Sequence, residues 1–169
     1  MGVNEDDLKT CSISSNGSCT TNATSPVAAI MRETIGIEKA MLSTVHAYTG
    51  TQTLTDSPTK GKDFRRGRAA SFNIVPSSTG AGIAVGRAFP ELVGKFDGVA
   101  IRVPVISGSL VDFTFLAKRK TTPEEINDIF RKAAKEDRWK HVLKVSDDQI
   151  VSSDIIGEPY GAIIDTRST

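Results

Sequence analysis

The chain has 169 residues, of which 38% are hydrophobic and 24% charged, a composition typical of a globular domain with one core. Its formal net charge of +1 is too small to create a field that would attract nucleic acid or an anionic membrane. The sequence lacks a basic leader followed by an apolar run, and no stretch approaches the ~20 apolar residues of a membrane span. We therefore expect one cytoplasmic domain over residues 1–169, with neither nucleic acid nor membrane as a partner.

The first predicted elements are a short strand over residues 12–15 and a helix over residues 24–34. Pro26 falls in the first turn of that helix, where proline is tolerated, and Gly36 ends it. Residues 37–45 predict a strand buried on both faces, because both of its sides carry apolar or small residues.

Residues 49–68 form the longest segment without hydrophobic periodicity. The segment is basic, and Asp56 and Asp63 are its only acidic residues. Its five basic residues are Lys60, Lys62, Arg65, Arg66 and Arg68. Irregular segments of this length in a compact domain are either functional or disordered, and we favour the functional alternative.

Beyond the loop, the pattern predicts a helix over 81–89 that Pro90 closes, and strands over 98–105 and 109–118. A further helix begins at Thr122, whose side chain is suited to an N-cap, and a short strand covers 162–164. Strands that cluster while helices are interspersed irregularly favour the α+β class. We expect a mixed, largely antiparallel sheet with helices packed on one face.

The two cysteines and two histidines do not have the spacing of a zinc site, and we expect no metal. Without a targeting signal, a reducing compartment favours free thiols. Cys19 lies just before the predicted helix at 24–34, where unpaired backbone N–H groups and the helix dipole favour a thiolate. Its neighbours are serine, threonine and asparagine, which argues against a cysteine buried in an apolar core. Cys19 is therefore the candidate nucleophile.

A nucleophilic thiol needs a base, and His46 is the better of the two histidines because it sits at the end of a predicted strand. A histidine in such a position is more commonly a hydrogen-bonded structural residue, so His46 alone is a weak candidate. His141 has no companion polar residues, and we interpret it as structural.

Arg102 interrupts an apolar strand, where a buried cation would require an anion such as phosphate. A strand with one solvated face explains it equally well. Hydroxyls and amides of the run 77–80 are typical of anion sites, although a plain turn is the commoner meaning. The glycine-rich run Gly80–Gly86 does not have dinucleotide-binding spacing and is expected to allow a turn and close helix packing.

Together these segments closely resemble the glyceraldehyde-3-phosphate dehydrogenase family over nearly the whole chain. The resemblance rests on five motifs in the family's order: Ser18-Cys19-Thr20-Thr21-Asn22, His46-Ala47-Tyr48-Thr49, Arg65-Arg66-Gly67-Arg68-Ala69-Ala70, Pro76-Ser77-Ser78-Thr79-Gly80-Ala81 and Arg102-Val103-Pro104. It implies that Cys19 attacks the aldehyde of glyceraldehyde 3-phosphate, that His46 is the base and acid, and that inorganic phosphate releases an acyl phosphate.

The resemblance also implies two phosphate sites. Thr49 and Arg102 resemble the site for the substrate's phosphate. The attacking inorganic phosphate would meet Ser18, Thr20, Thr79 and Gly80, with Arg66 supporting the anion region.

Residues 48–70 resemble the family's S-shaped loop, which packs at the centre of a homotetramer. In the family this loop also borders the cofactor of a neighbouring subunit, and Pro58 resembles its NAD-preferring version, although NADP stays open. The family's nucleotide-binding half and its C-terminal segment have no counterpart in this sequence, so NAD would be bound mainly by parts outside it and the chain alone is expected not to complete hydride transfer. The position four residues after the nucleophile, often cysteine in the family, is Ala23.

Two alternatives stay open from the sequence. One is the closely related erythrose-4-phosphate dehydrogenase, which has the same nucleophile and base. The other is a noncatalytic module for oligomerisation, because the chain keeps the oligomerising loop but not the cofactor domain.

Overall fold

The computed structural model describes residues 2–59 and 61–169, so Lys60 of the basic loop lies outside the described residues. Its α-helices are α1 (Cys19–Thr34), α2 (Ala81–Ala88) and α3 (Pro123–Ala133). Its strands are β1 (Ile37–Ala47), β2 (Val75–Ser78), β3 (Phe96–Val103), β4 (Ser109–Ala117), β5 (Leu143–Ser146) and β6 (Ala162–Asp165). The predicted α+β class is confirmed.

The main sheet has the strand order β2-β3-β1-β4. β1 runs parallel to β3 and antiparallel to β4, and β2 runs antiparallel to β3, so the sheet is mixed and largely antiparallel as predicted. β5 and β6 form a separate parallel pair.

One face of the main sheet is covered and the other is open. Leu42 and Thr44 of β1 are buried in the core that α1 and α2 help to form, whereas Met41 and Val45, on the opposite face, are exposed. The expectation that this strand is buried on both faces is therefore wrong. Successive side chains of a strand point to opposite faces of the sheet, and helices pack against only one face of β1. Alternate residues of β1 are therefore buried and exposed.

The helix α1 begins five residues before the predicted start. The side chain of Ser18 accepts a hydrogen bond from the N–H of Thr21 at 3.1 Å, which makes Ser18 the N-cap and places Pro26 inside the helix rather than in its first turn. The predicted end is confirmed: Gly36 has a φ of +82° and donates its N–H to the carbonyl of Met31.

Three further expectations have clear outcomes. Residues 12–15 form no strand, because they are exposed and pair with no described strand. The helix that Thr122 caps is confirmed as α3. The glycine-rich run forms most of α2, where a Cβ at Gly82 would lie 3.3 Å from the Cα of Asp97 in β3, so close packing is the role of this glycine.

Candidate active site

Cys19 is the first residue of α1, and its thiol is exposed. Its Sγ lies 2.9 Å from Nε2 of His46, the penultimate residue of β1. The structure thus brings together the two residues that the sequence proposed as nucleophile and base. The positions of both residues are fixed by regular backbone, because Cys19 lies at the start of a helix and His46 at the end of a strand.

Arg102 joins the pair because it is the register partner of His46 across the parallel β1–β3 pairing. Neighbouring register partners point to the same face of a sheet, here the face that carries α1. Nη1 of Arg102 lies 2.5 Å from Nδ1 of His46 and donates to the carbonyl oxygen of Ala47 at 3.2 Å. Arg102 is therefore a half-buried member of the site rather than a solvated surface residue.

The contacts of the His46 ring suggest how it can move a proton. Nδ1 lies 2.7 Å from the carbonyl oxygen of Ala47. When the proton is on Nδ1, the ring donates to that carbonyl and Nε2 is free to accept the thiol proton of Cys19. In this tautomer Arg102, which can only donate, bonds the Ala47 carbonyl and makes no hydrogen bond to Nδ1. The arrangement has the geometry of a thiol nucleophile with an adjacent general base.

The electrostatics of Arg102 point to an anion site. Burial lowers the pKa of its guanidinium, an effect that the nearby Cys19 opposes and that the positive charge of Arg66 adds to. Cys19 and Arg66 thus each lie within electrostatic reach of Arg102. An anion between the two guanidinium groups would relieve their mutual repulsion.

Two threonines extend the site into the loop after β1. Thr49 Oγ1 lies 3.1 Å from Thr51 Oγ1, which accepts a hydrogen bond from Nη1 of Arg66 at 2.9 Å. Gln52 braces this turn, since its N–H donates to the Thr49 carbonyl and its Oε1 accepts from the Thr49 N–H. The sequence motifs do not single out Thr51, whose one sequence signal is a second hydroxyl two residues after Thr49.

The loop around these threonines is held together by hydrogen bonds of its own. Thr53 donates its N–H to the carbonyl of Arg66, and Ser57, the neighbour of the exposed Pro58, donates to the carbonyl of Gly67. A Cβ at Gly67 would overlap the Ser57 carbonyl oxygen, so only glycine fits there. In its described residues the loop has no regular secondary structure apart from one 3-10 turn, Phe64–Gly67.

Asp56 closes the other end of this hydrogen-bonded loop. Its Oδ1 accepts from the N–H of Ala69 at 2.8 Å and faces the guanidinium of Arg68 at 3.3 Å. These hydrogen bonds, the one from Ala69 first, hold the pKa of the Asp56 carboxyl below its ordinary value.

The remaining residues assigned to an inorganic phosphate site lie at two helix starts. Ser18 caps α1, and the side chain of Thr20 is buried one residue after Cys19. Thr79 and Gly80 precede α2, where Thr79 Oγ1 accepts from the N–H of Ala81. Within residues 2–59 and 61–169, no hydrogen bond joins Thr79 or Gly80 to Cys19, so their part in this site stays a prediction.

The first turn of α1 offers unpaired donors next to the thiol. In the described part of the chain, the backbone N–H groups of Cys19 and Thr20 have no acceptor, as expected of the first residues of a helix. Such groups stabilise an oxyanion that forms when a thiolate adds to a carbonyl.

The residues with described positions include neither a candidate metal site nor a candidate membrane-spanning helix. They contain no cluster of three or more histidine, cysteine, aspartate or glutamate side chains suited to a metal ion. None of their helices combines the length and the hydropathy that crossing a bilayer requires.

Comparison with known proteins identifies the family of the chain. The model of the glyceraldehyde 3-phosphate dehydrogenase C-terminal domain matches residues 18–169. The chain belongs to this family. The family resemblance proposed from the five sequence motifs is therefore confirmed.

Individual relatives match along the whole chain. Glyceraldehyde-3-phosphate dehydrogenase of Borreliella burgdorferi is 46% identical over 171 residues, which cover 100% of this chain and 50% of the relative. The enzyme of Mycobacterium tuberculosis is 47% identical over 170 residues, covering 100% and 49%. Glyceraldehyde-3-phosphate dehydrogenase 3 of Saccharomyces cerevisiae is 47% identical over 172 residues, covering 99% and 50%. The chain thus spans about half the length of the curated relatives that it matches.

Proposed function

We propose that this chain is the catalytic domain of a phosphorylating glyceraldehyde-3-phosphate dehydrogenase. The observation that carries the proposal is the 2.9 Å separation of Cys19 Sγ and His46 Nε2, with Arg102 alongside on the next strand. Family membership supplies the substrate class, and the neighbouring cationic and hydroxyl groups suit a substrate that carries a phosphate.

In the first step, Cys19 Sγ forms a bond to the aldehyde carbon while its proton passes to Nε2 of His46. The carbonyl oxygen becomes an oxyanion next to the free N–H groups of Cys19 and Thr20 and is then protonated, which gives a thiohemiacetal. The substrate's phosphate would bind Arg102 and Thr49. Inorganic phosphate, held by Ser18, Thr20, Thr79 and Gly80 with support from Arg66, would later displace the acyl group from the sulfur.

Oxidation between these two steps needs a hydride acceptor, which the family resemblance identifies as NAD. The described residues do not fit a dinucleotide. Their main sheet is mixed rather than doubly wound, and Gly82 of the glycine-rich run packs on β3 instead of facing an open phosphate site. The steps that we assign to this chain are therefore covalent capture, acid–base transfer and phosphate binding, and any role of Pro58 beside the cofactor depends on residues outside it.

The proposal is tested by protection of Cys19 against alkylation. Glyceraldehyde 3-phosphate should protect the thiol from iodoacetamide at much lower concentrations than glyceraldehyde, which has no phosphate for Arg102 to bind. Equal protection by the two aldehydes would contradict the proposed substrate class. Erythrose 4-phosphate as a third aldehyde separates the two related dehydrogenase activities, since the better substrate should protect at the lower concentration.

Dehydrogenase activity itself is tested by joining the chain to the remaining half of one of the curated relatives. The joined protein should reduce NAD with glyceraldehyde 3-phosphate and phosphate, and Cys19→Ser should abolish this turnover while Cys11→Ser leaves it unchanged. Normal turnover of the Cys19→Ser protein would overturn the assignment of the nucleophile.

We also propose that copies of the chain associate, as the homotetramer of the resemblance implies. The open face of the main sheet supports this because several large apolar side chains are exposed there. They are Met41, Val45, Val99, Leu110 and Leu116. Light scattering should give an oligomer that Val99→Lys dissociates, whereas a strict monomer would contradict the proposal.

A further inference from the structure

Asn16 and Gly17 form an asparagine–glycine dipeptide three residues before the nucleophile Cys19. In such a pair the backbone nitrogen of glycine can attack the side-chain carbonyl carbon of asparagine, because glycine has no side chain to shield its nitrogen. Asparagine is among the chemically labile residues for this reason. The sequence holds this dipeptide once.

Asn16 differs from the other four asparagines in how its side chain is held. Its amide is exposed and has no hydrogen bond to any residue in 2–59 or 61–169. The other four amides each donate at 2.9–3.0 Å: Asn4 to Asp7, Asn22 to the carbonyls of Asn16 and Ser18, Asn73 to Ala69, and Asn127 to Thr166. Only the Asn16 side chain is free to turn toward the following nitrogen.

The surroundings of the attacking nitrogen favour the same reaction. Gly17 is exposed and has a φ of +72°, which only glycine adopts without strain. Its N–H donates to Ser15 Oγ at 3.1 Å, and this hydroxyl can pass the proton to solvent. Both residues line an open cavity of about 500 Å³ that gives water access to the dipeptide.

We propose that Asn16 is a site of spontaneous deamidation and isoaspartate formation. The Gly17 nitrogen, having lost its proton, bonds to Cγ of Asn16, and the bond from Cγ to Nδ2 breaks, so that ammonia leaves and a succinimide ring forms. Water then opens the ring. Cleavage at the main-chain carbonyl gives isoaspartate, and cleavage at Cγ gives aspartate, so each event consumes one water and releases one ammonia.

The dipeptide Asp97–Gly98 is a natural internal control because its residues could form the same succinimide. Both lie in β3, where Gly98 is the register partner of Leu42. The Gly98 N–H donates to Oδ1 of Asp97 at 2.7 Å, so the two reacting groups are close. The pairing of β3 with β1 nevertheless holds the backbone extended, and the close side chain of Leu42 leaves no room at Gly98 for the rearrangement that ring closure requires. Isomerisation should therefore be confined to Asn16.

The modification would reach the nucleophile through Asn22. The Asn22 amide joins the Asn16 carbonyl to the carbonyl of Ser18, the N-cap of α1. Isoaspartate at position 16 adds a methylene to the main chain next to the carbonyl that Asn22 binds. It also places a carboxylate near the start of the helix. Because a negative charge there opposes a thiolate, the reactivity of Cys19 should fall as the modification accumulates.

The experiment incubates the 169-residue chain at mildly alkaline pH and follows three quantities over time. These are isoaspartate, by enzymatic methylation, its position, by mass spectrometry of peptides, and the alkylation rate of Cys19 by iodoacetamide. Isoaspartate should appear at Asn16, and modified molecules should alkylate roughly two- to fivefold more slowly, the size expected for an exposed like charge.

Asn16→Gln is the matched control, since it keeps an exposed amide but would require a larger and less favoured ring. It should accumulate no isoaspartate and keep its alkylation rate. Modification at the other asparagines, or none at Asn16, would overturn the proposed site. Modification at Asn16 with an unchanged alkylation rate would overturn its link to Cys19. Neither readout depends on the dehydrogenase activity, so failure here is distinct from failure of the proposed function.

Discussion

The site has a half built on regular backbone and a half built on a loop. His46 and Arg102 are register partners on adjacent strands, and Cys19 opens a helix, so their positions follow from the core beneath them. Thr49, Thr51 and Arg66 lie instead on a loop that depends on its own hydrogen bonds. The difference suggests that the core of the fold fixes the nucleophile, the base and Arg102. The remaining anion-binding groups depend on a loop that can change without disturbing the core.

The largest expected effect comes from the core beneath β1. Leu42→Ala should lower the free energy of unfolding by about 2–5 kcal/mol, because Leu42 is fully buried and its truncation leaves a cavity. Met41→Ala, on the open face of the same strand, should change it by about 0.5 kcal/mol or less when the chain is monomeric. Urea unfolding measures both, and equal losses would contradict the one-sided core.

The two arginines should differ in a way that separates the halves of the site. Arg102→Gln should raise the concentration of glyceraldehyde 3-phosphate needed to protect Cys19 by roughly ten- to a hundredfold, since it removes a half-buried charged donor. Arg66→Gln should raise it by roughly two- to fivefold, because Arg66 acts from the loop through Thr51. Protection by glyceraldehyde is the control and should not change in either variant.

The smallest effect concerns the pH dependence of the loop. Because hydrogen bonds from Ala69 and Arg68 lower the pKa of Asp56, its contribution is complete above the ordinary aspartate pKa and is lost as the pH falls through the lowered value. Proteolysis of the loop should therefore accelerate on acidification in that range.

Asp56→Asn is the matched variant for this pH effect. It keeps an oxygen for the Ala69 N–H and removes the charge, so the Asp56 component of the acid response should disappear. Proteolysis that responds to pH in the same way in both proteins would assign the effect to another group, such as Asp63, whose pKa Arg65 lowers.

Sequence patterns predicted those elements whose signals are local. Thr122 and Pro123 mark the start of α3, and Gly36 marks the end of α1, because caps act within a few residues. The start of α1 was misplaced because Pro26 reads as a first-turn residue, whereas the cap at Ser18 and burial of the helix against the core tolerate an interior proline.

Sequence patterns did not predict strands and contacts that depend on residues distant in the chain. β2 and β5, with four residues each, are strands only because β3 and β6 lie beside them. The exposed residue Ile13 illustrates the reverse, since its segment resembles a strand but has no partner. Cys19 and His46 could be named individually from their motifs, yet their contact and the role of Thr51 required the register of the sheet and the path of the loop.

The central claim is that contact with His46 at the start of α1 activates Cys19. The most direct test measures the alkylation rates of Cys19 and Cys11 by iodoacetamide near neutral pH in the same molecule, since both thiols are exposed. Cys19 should react faster, and His46→Asn should bring its rate toward that of Cys11. Equal rates in the unaltered chain would contradict the account.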